Sequence, residues 1–182
     1  MSDTTPVRIY VDTCVYLDLL TANKELHAET QEQRWKSAKA LFDAVNDDRV
    51  VLGASALIEA EVQCVGAVRD GSEPILDQVR GWFTAESTQW TDVDRFLARD
   101  AAKLARECHP HRADSSKKLG GADATHLAAA IRLRCDYLMT HDGGFPIGQE
   151  VGGVKVLRPK EVWPKHLLDD LSEALSSATT PP

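Results

Sequence analysis

Four acidic residues stand where a carboxylate either does chemistry or burdens the fold: Asp12, Glu61, Asp123 and Asp142. Asp12 ends the run Val7-Arg-Ile-Tyr-Val11, whose β-branched content predicts a first strand. Asp142 follows a second strand-like run, residues 136–140, in Leu-Met-Thr-His-Asp-Gly-Gly-Phe. In open parallel sheets ligands gather beyond the carboxyl ends of strands, where strand order reverses, so two acids at two strand ends are candidates for one site. Each alone also fits a helix or turn cap. In Ser55-Ala-Leu-Ile-Glu-Ala-Glu-Val62, helical steps of four and three put Leu57, Glu61, Val65 and Val68 on one stripe. Glu61 therefore interrupts an apolar face, whereas Glu59 falls with Gln63, Gly66 and Asp70 on a polar one. Asp123 shares a stripe with Leu127, Ala130 and Ile131 near the start of an alanine-rich helix, where the helix dipole favours an anion.

Inward-facing carboxylates are costly unless a cation, a donor or a metal meets them. No lysine or arginine recurs on these stripes, and four gathered acids repel one another. A divalent cation resolves the repulsion, and oxygen ligands with retained waters suit Mg2+ or Mn2+ rather than zinc. Such a centre activates a water and offsets charge on a phosphodiester.

The elements that must position these acids alternate between strand and helix. Strands are expected over residues 7–11, 49–54, 88–91, 136–140 and 154–157. Helices are expected after Asp12, around Ala38 to Val45, from the Ser55 cap to about Arg69, and around Ile75 to Phe83. Others follow along the stripe Val93, Phe96, Leu97, Ala101 and Leu104, over residues 121–134, and over 163–175. This order predicts one α/β domain over residues 7–175, a parallel five-stranded sheet with helices on both faces, between flexible ends at 1–6 and 176–182.

The net charge of −7 argues against a protein that coats DNA through a basic surface, but leaves room for a small enzyme whose acids are neutralised by metal. The opening Met1-Ser-Asp-Thr-Thr-Pro6 has no basic or apolar region of a secretion signal, and no apolar run reaches the roughly 20 residues of a membrane helix. Cys14, Cys64, Cys108 and Cys135 are scattered, which suits a reduced, cytoplasmic protein.

Val-Asp12-Thr-Cys-Val-Tyr-Leu, Ser55-Ala-Leu-Ile-Glu-Ala-Glu61-Val, Gly121-Ala-Asp123-Ala-Thr-His-Leu-Ala-Ala-Ala and Leu-Met-Thr140-His-Asp142-Gly-Gly-Phe stand in the order of the motifs of PIN-domain nucleases. The sequence resembles that family from about Val7 to Leu157, most of all the toxins of VapBC-type toxin–antitoxin pairs. The resemblance implies a PIN-like fold and a metal-dependent endoribonuclease, the toxin of a type II pair. It implies catalytic acids Asp12, Glu61, Asp123 and Asp142, metal held by Asp12, Asp123 and Asp142, and support from Thr13 and Thr140. It further implies a homodimer and an antitoxin whose side chain, often an arginine, reaches into the acidic site. The alternative is a catalytically inactive PIN-fold module acting through a protein partner. Residues 23–34 form a longer polar stretch than the family usually carries there, and the chain continues past Trp163.

His109, His111, Arg112, Lys117 and Lys118 form a compact basic cluster just before Asp123. A solvated loop explains it, and so does phosphate contact by Arg112, Lys117 and Lys118. Cys108-His-Pro-His111 falls short of the four ligands of a closed zinc site. His126 and His141 read as ordinary neighbours of the acids, and Asp18 as a surface or capping residue. Trp35, Trp82, Trp90 and Trp163 read as core or interface side chains.

Overall fold

Strand β1 (Val7–Val11) lies deep in the sheet because its last three residues, Ile9, Tyr10 and Val11, have no solvent exposure at all. A strand with both faces covered reads as a continuous apolar run, as this one does. The structure is a computed structural model and describes residues 6–163. The expected final helix, apart from Trp163, and both chain ends lie outside the described residues.

Parallel to β1 on one side runs β2 (Val50–Ser55), followed by the edge strand β3 (Gln89–Thr91). On the other side run β4 (Tyr137–Met139) and then β6 (Val154–Leu157), also parallel. The sheet has six strands rather than five, because β5 (Glu150–Val151) pairs antiparallel with β6. Gly152 and Gly153 make that two-residue hairpin turn with φ of +59° and +86°, a conformation glycine adopts without strain. The spatial order is β3-β2-β1-β4-β6-β5, so strand order reverses between β1 and β4.

Seven helices cover the described part of the sheet. Helix α1 (Thr13–Leu20) follows β1 directly, and α2 (Arg34–Asn46) leads into β2. Helix α3 (Ala56–Cys64) starts under the Ser55 cap, whose hydroxyl accepts the Ile58 N–H. The expected single helix to Arg69 is broken at Val65, where ψ of 142° leaves the helical range, and α4 (Gly66–Arg69) restarts beyond it. Ile58 and Val62 form the buried line of α3, so Leu57, Glu61 and Val65 flank the core rather than face it.

Helices α5 (Glu73–Thr84) and α6 (Arg95–Cys108) lie on either side of β3 in sequence. The expected stripe on α6 holds for Leu97 and Ala101, but Val93 lies before the helix and Phe96 in its first turn, both exposed. Helix α7 (Gly121–Arg132) is buried on nearly every side from Ala124 to Ala130. Its small residues allow that enclosure, and they fix the entry of Asp123 into the molecule.

Candidate active site

Asp12 ends β1 and caps α1, where its Oδ1 accepts the Thr13 N–H at 2.8 Å. Its Oδ2 accepts the Thr140 hydroxyl at 2.6 Å and the Cys14 thiol at 3.2 Å. Thr140, fully buried just beyond β4, in turn accepts the Asp142 N–H at 2.9 Å. One hydroxyl thus bridges the acids of two adjacent strands, at the point where strand order reverses.

Thr13 makes a second bridge. Its hydroxyl donates to Glu61 Oε2 at 2.6 Å, drawing α3 toward the start of α1. The same Oε2 lies 3.0 Å from His126 Nε2. The imidazole contact, reinforced by Thr13 and opposed by partial burial, holds the Glu61 carboxyl below its ordinary range. His126 is buried on α7, and its Nδ1 meets the Tyr10 hydroxyl at 3.0 Å, which meets Ser55 Oγ at 2.8 Å.

Asp123 stands in the first turn of α7, where its Oδ2 accepts the Gly120 N–H at 3.0 Å. Burial raises its proton affinity above the ordinary carboxylate value, and the carboxylates of Asp12 and Asp142 raise it further against the Gly120 N–H. Asp142 accepts at Oδ1 from Lys117 Nζ at 3.0 Å and from the Gly144 N–H at 2.8 Å. The stripes suggested acids without bases. The bases come from elsewhere, His126 to Glu61 and Lys117 to Asp142.

The basic loop reaches the site through backbone. Asp114 N–H donates to the Gly143 carbonyl at 2.8 Å and Ala113 N–H to the Phe145 carbonyl at 3.0 Å. A Cβ on Gly144 would stand 2.6 Å from the Lys118 carbonyl oxygen, and one on Gly143 would stand 2.7 Å from Asp114 Cβ. The two glycines therefore let the loop and the Asp142 turn touch. Of the three residues considered for phosphate contact, Lys117 pairs with Asp142 and Lys118 projects exposed. Arg112 turns inward, donating to the backbone carbonyls of His109 and Ser115.

The long polar stretch after α1 is anchored, not loose. Asp18 is buried rather than on the surface, bonded to Asn23 Nδ2 at 2.7 Å and Arg34 Nε at 3.0 Å. His27, with no exposure, lies 2.9 Å by its Nε2 from the Pro159 carbonyl and packs edge-on against His141, ring centres 5.0 Å apart. Burial, and then the neighbouring Arg34, His27 and Arg158, push the His141 imidazole down to about 3.

In sequence His126 and His141 read as ordinary neighbours of the acids and Asp18 as a surface or capping residue, whereas the fold buries Asp18 and ties His126 to Glu61. One signal was available: Tyr10 sits inside an otherwise apolar buried strand, and a buried phenol needs a hydrogen-bond partner.

A divalent cation fits the donor set. Asp123 Oδ1, Asp142 Oδ2 and Glu61 Oε1 accept no hydrogen bond among the described residues, and all are hard oxygen ligands. Among the described residues no three His, Cys, Asp or Glu side chains are gathered tightly enough to ligate one ion together. Mg2+ accepts such an arrangement, since it commonly takes one or two carboxylates and keeps several waters. Cys108, His109 and His111 gather no zinc-like set either.

The fold and the acids at its strand-order reversal define an α/β protein with carboxylates gathered beyond its strand ends. The PIN domain profile matches residues 9–147, and the chain belongs to the PIN-domain family, whose members are in general nucleases that typically use divalent metals. No curated protein matches it in sequence. Among solved structures, it is similar to FitAB bound to an IR36 DNA fragment, at 19% identity and a TM-score of 0.53, over 87% of this chain and 99% of that one. VapC20 of Mycobacterium tuberculosis, a toxin that cleaves the sarcin–ricin loop, aligns at 18% identity and a TM-score of 0.51, over 75% and 95%. VapBC2 of Rickettsia felis, bound to a DNA fragment from its promoter, aligns at 12% identity and a TM-score of 0.51, over 87% and 100%. At these identities the likeness establishes a shared fold. No described helix is long and apolar enough to cross a membrane.

Proposed function

We propose that this protein is a Mg2+- or Mn2+-dependent endoribonuclease, acting as the toxin of a toxin–antitoxin pair. The observation that carries the reading is the Thr140 hydroxyl bridging Asp12 and Asp142 between the two strands where order reverses. Asp12, Asp123 and Asp142 would hold the cation, one or two of them by direct carboxylate contact and the rest through its retained waters. When bound, it supplies charge that polarises a water and offsets the negative charge building on the phosphodiester.

The chain does the rest by position. Glu61 has Oε2 occupied by Thr13 and His126, which leaves Oε1 to orient the attacking water and take its proton. Lys118 is exposed on the docked loop, and together with Lys117 it meets substrate phosphates electrostatically. An antitoxin and a second copy of the chain are the partners. The similarity to FitAB and VapBC2 supports the antitoxin, and the acids suit a guanidinium supplied from outside.

Purified protein with labelled RNA tests the chemistry: cleavage is expected with Mn2+ or Mg2+ and none in excess EDTA. Cleavage undiminished by EDTA overturns the metal role. Induced expression tests the biology, with growth arrest relieved by a co-expressed antitoxin. Undisturbed growth across several hosts removes the toxin assignment and leaves the nuclease standing.

A further inference from the structure

Glu61 takes both its donors on one oxygen, and the inner donor belongs to a chain of hydrogen bonds that returns to its own helix. The Ile58 N–H, in the first turn of α3, donates to Ser55 Oγ at 3.3 Å. Ser55 Oγ lies 2.8 Å from the Tyr10 hydroxyl, which lies 3.0 Å from His126 Nδ1. His126 Nε2 completes the path at 3.0 Å from Glu61 Oε2. Ser55 and Tyr10 have no exposure and His126 has 1%, so each polar hydrogen must find its acceptor inside the chain.

Only one assignment of hydrogens satisfies all of them. The serine hydroxyl gives its hydrogen to the tyrosine oxygen, and the tyrosine gives its own to Nδ1. The ring must then carry its hydrogen on Nε2, which donates to the Glu61 carboxylate. Reversing the direction leaves the serine hydrogen without an acceptor among the described hydrogen bonds and sets bare Nε2 against a carboxylate oxygen.

We propose that His126 is a positioning residue for Glu61, locked by Tyr10 and Ser55 in its Nε2–H tautomer so that Glu61 Oε2 is held and Oε1 faces the reaction. The inference deepens the nuclease reading and rests on it for the identity of the reaction. His126 itself touches neither substrate nor cation. It acts by making one orientation of a carboxylate on α3 the only one that satisfies α7, β1 and the α3 cap together, as preorganised sites require.

Two measurements test it. Long-range nitrogen–proton correlation spectra of the metal-free protein should show His126 with a hydrogen on Nε2 and none on Nδ1, a preference weakened in Tyr10→Phe. With labelled RNA at saturating Mn2+, His126→Leu should lower kcat by about tenfold with KM changed less than about twofold. His126→Gln, whose amide can donate from near the same place, should recover most of that loss. If His126→Leu does not fold, Tyr10→Phe carries the kinetic test, with a smaller fall in kcat. A hydrogen on Nδ1, or a folded His126→Leu with wild-type kcat, overturns the positioning role. Wild-type protein that cuts no RNA refutes the nuclease reading alone, because the tautomer still decides the relay.

Discussion

Replacing Thr140 by valine removes one oxygen at almost constant volume, and that oxygen serves two acids at once. Its hydroxyl donates to Asp12 Oδ2 at 2.6 Å, a charge-assisted bond of the kind that contributes about 1.5–3 kcal/mol. It also accepts the part-buried Asp142 N–H at 2.9 Å, a donor whose loss of partner costs at most about 1–3 kcal/mol. Asp12 keeps the Thr13 N–H and the Cys14 thiol, which offset part of the loss. The net destabilisation of Thr140→Val should be about 2–4 kcal/mol, a fall in Tm of about 5–15 °C for a chain of this size. Urea unfolding of the metal-free protein measures it, with two companions. Thr140→Ser keeps the hydroxyl and should lose less than half as much. Thr125→Val removes a hydroxyl that among the described residues bonds the Gly121 carbonyl of its own helix, and should cost under about 1 kcal/mol. A Thr140→Val protein within about 0.5 kcal/mol of wild type would refute the bridge as the tie between the two strand ends.

Two further expectations concern single acids. Glu61→Gln should lower the turnover rate at least about tenfold, about 1.4 kcal/mol in the barrier, whereas Glu59→Gln, which among the described residues meets Gln63, should leave it unchanged; RNA cleavage at saturating Mn2+ compares them, and the reverse outcome sinks the assignment. Asp123 binds its proton more tightly folded than unfolded, so its charge destabilises the fold at neutral pH and ceases to do so as pH falls below its ordinary value of 3.8. Metal-free Asp123→Asn should therefore melt above wild type at pH 7 and level with it below pH 3.8, and melting curves showing an equal offset at both pH values would contradict this.

Much of the fold was legible because its strongest elements carry their own periodicity. The apolar run to Val11, the Ser55 cap and the alanine-rich α7 each appear close to where pattern and capping chemistry put them. The missing strand, β5, is two residues long and carries no period, although Gly152-Gly153 is a hairpin signal that pattern reading passed over. The tilt of α3 was misjudged because the break at Val65 ends the stripe that Leu57 and Glu61 seemed to start. The four acids of the candidate site stand out in sequence at strand ends and helix faces, although Glu61 flanks the core instead of facing it. Their ties do not stand out: Tyr10 and His126 are 116 residues apart, and Lys117 and Asp142 25, and no local rule reports pairs so distant. Arg112 looked like its lysine neighbours in sequence, and only the fold shows its guanidinium spent on its own loop.

Asp12 is also the cap of α1, and this bears on how an inert form of the protein should be made. The obvious choice, Asp12→Asn, weakens three donors' attraction at once and disturbs the start of the helix that carries Thr13, hence the Thr13 hold on Glu61 as well. A protein silenced there loses hydrogen bonds as well as a charge, so failure to bind RNA or a partner would have two explanations. Glu61→Gln changes neither cap residue, Asp12 nor Ser55, keeps an amide oxygen able to accept from Thr13 and His126, and alters a side chain that is 31% exposed. That makes position 61 the cleaner place to separate binding from cutting.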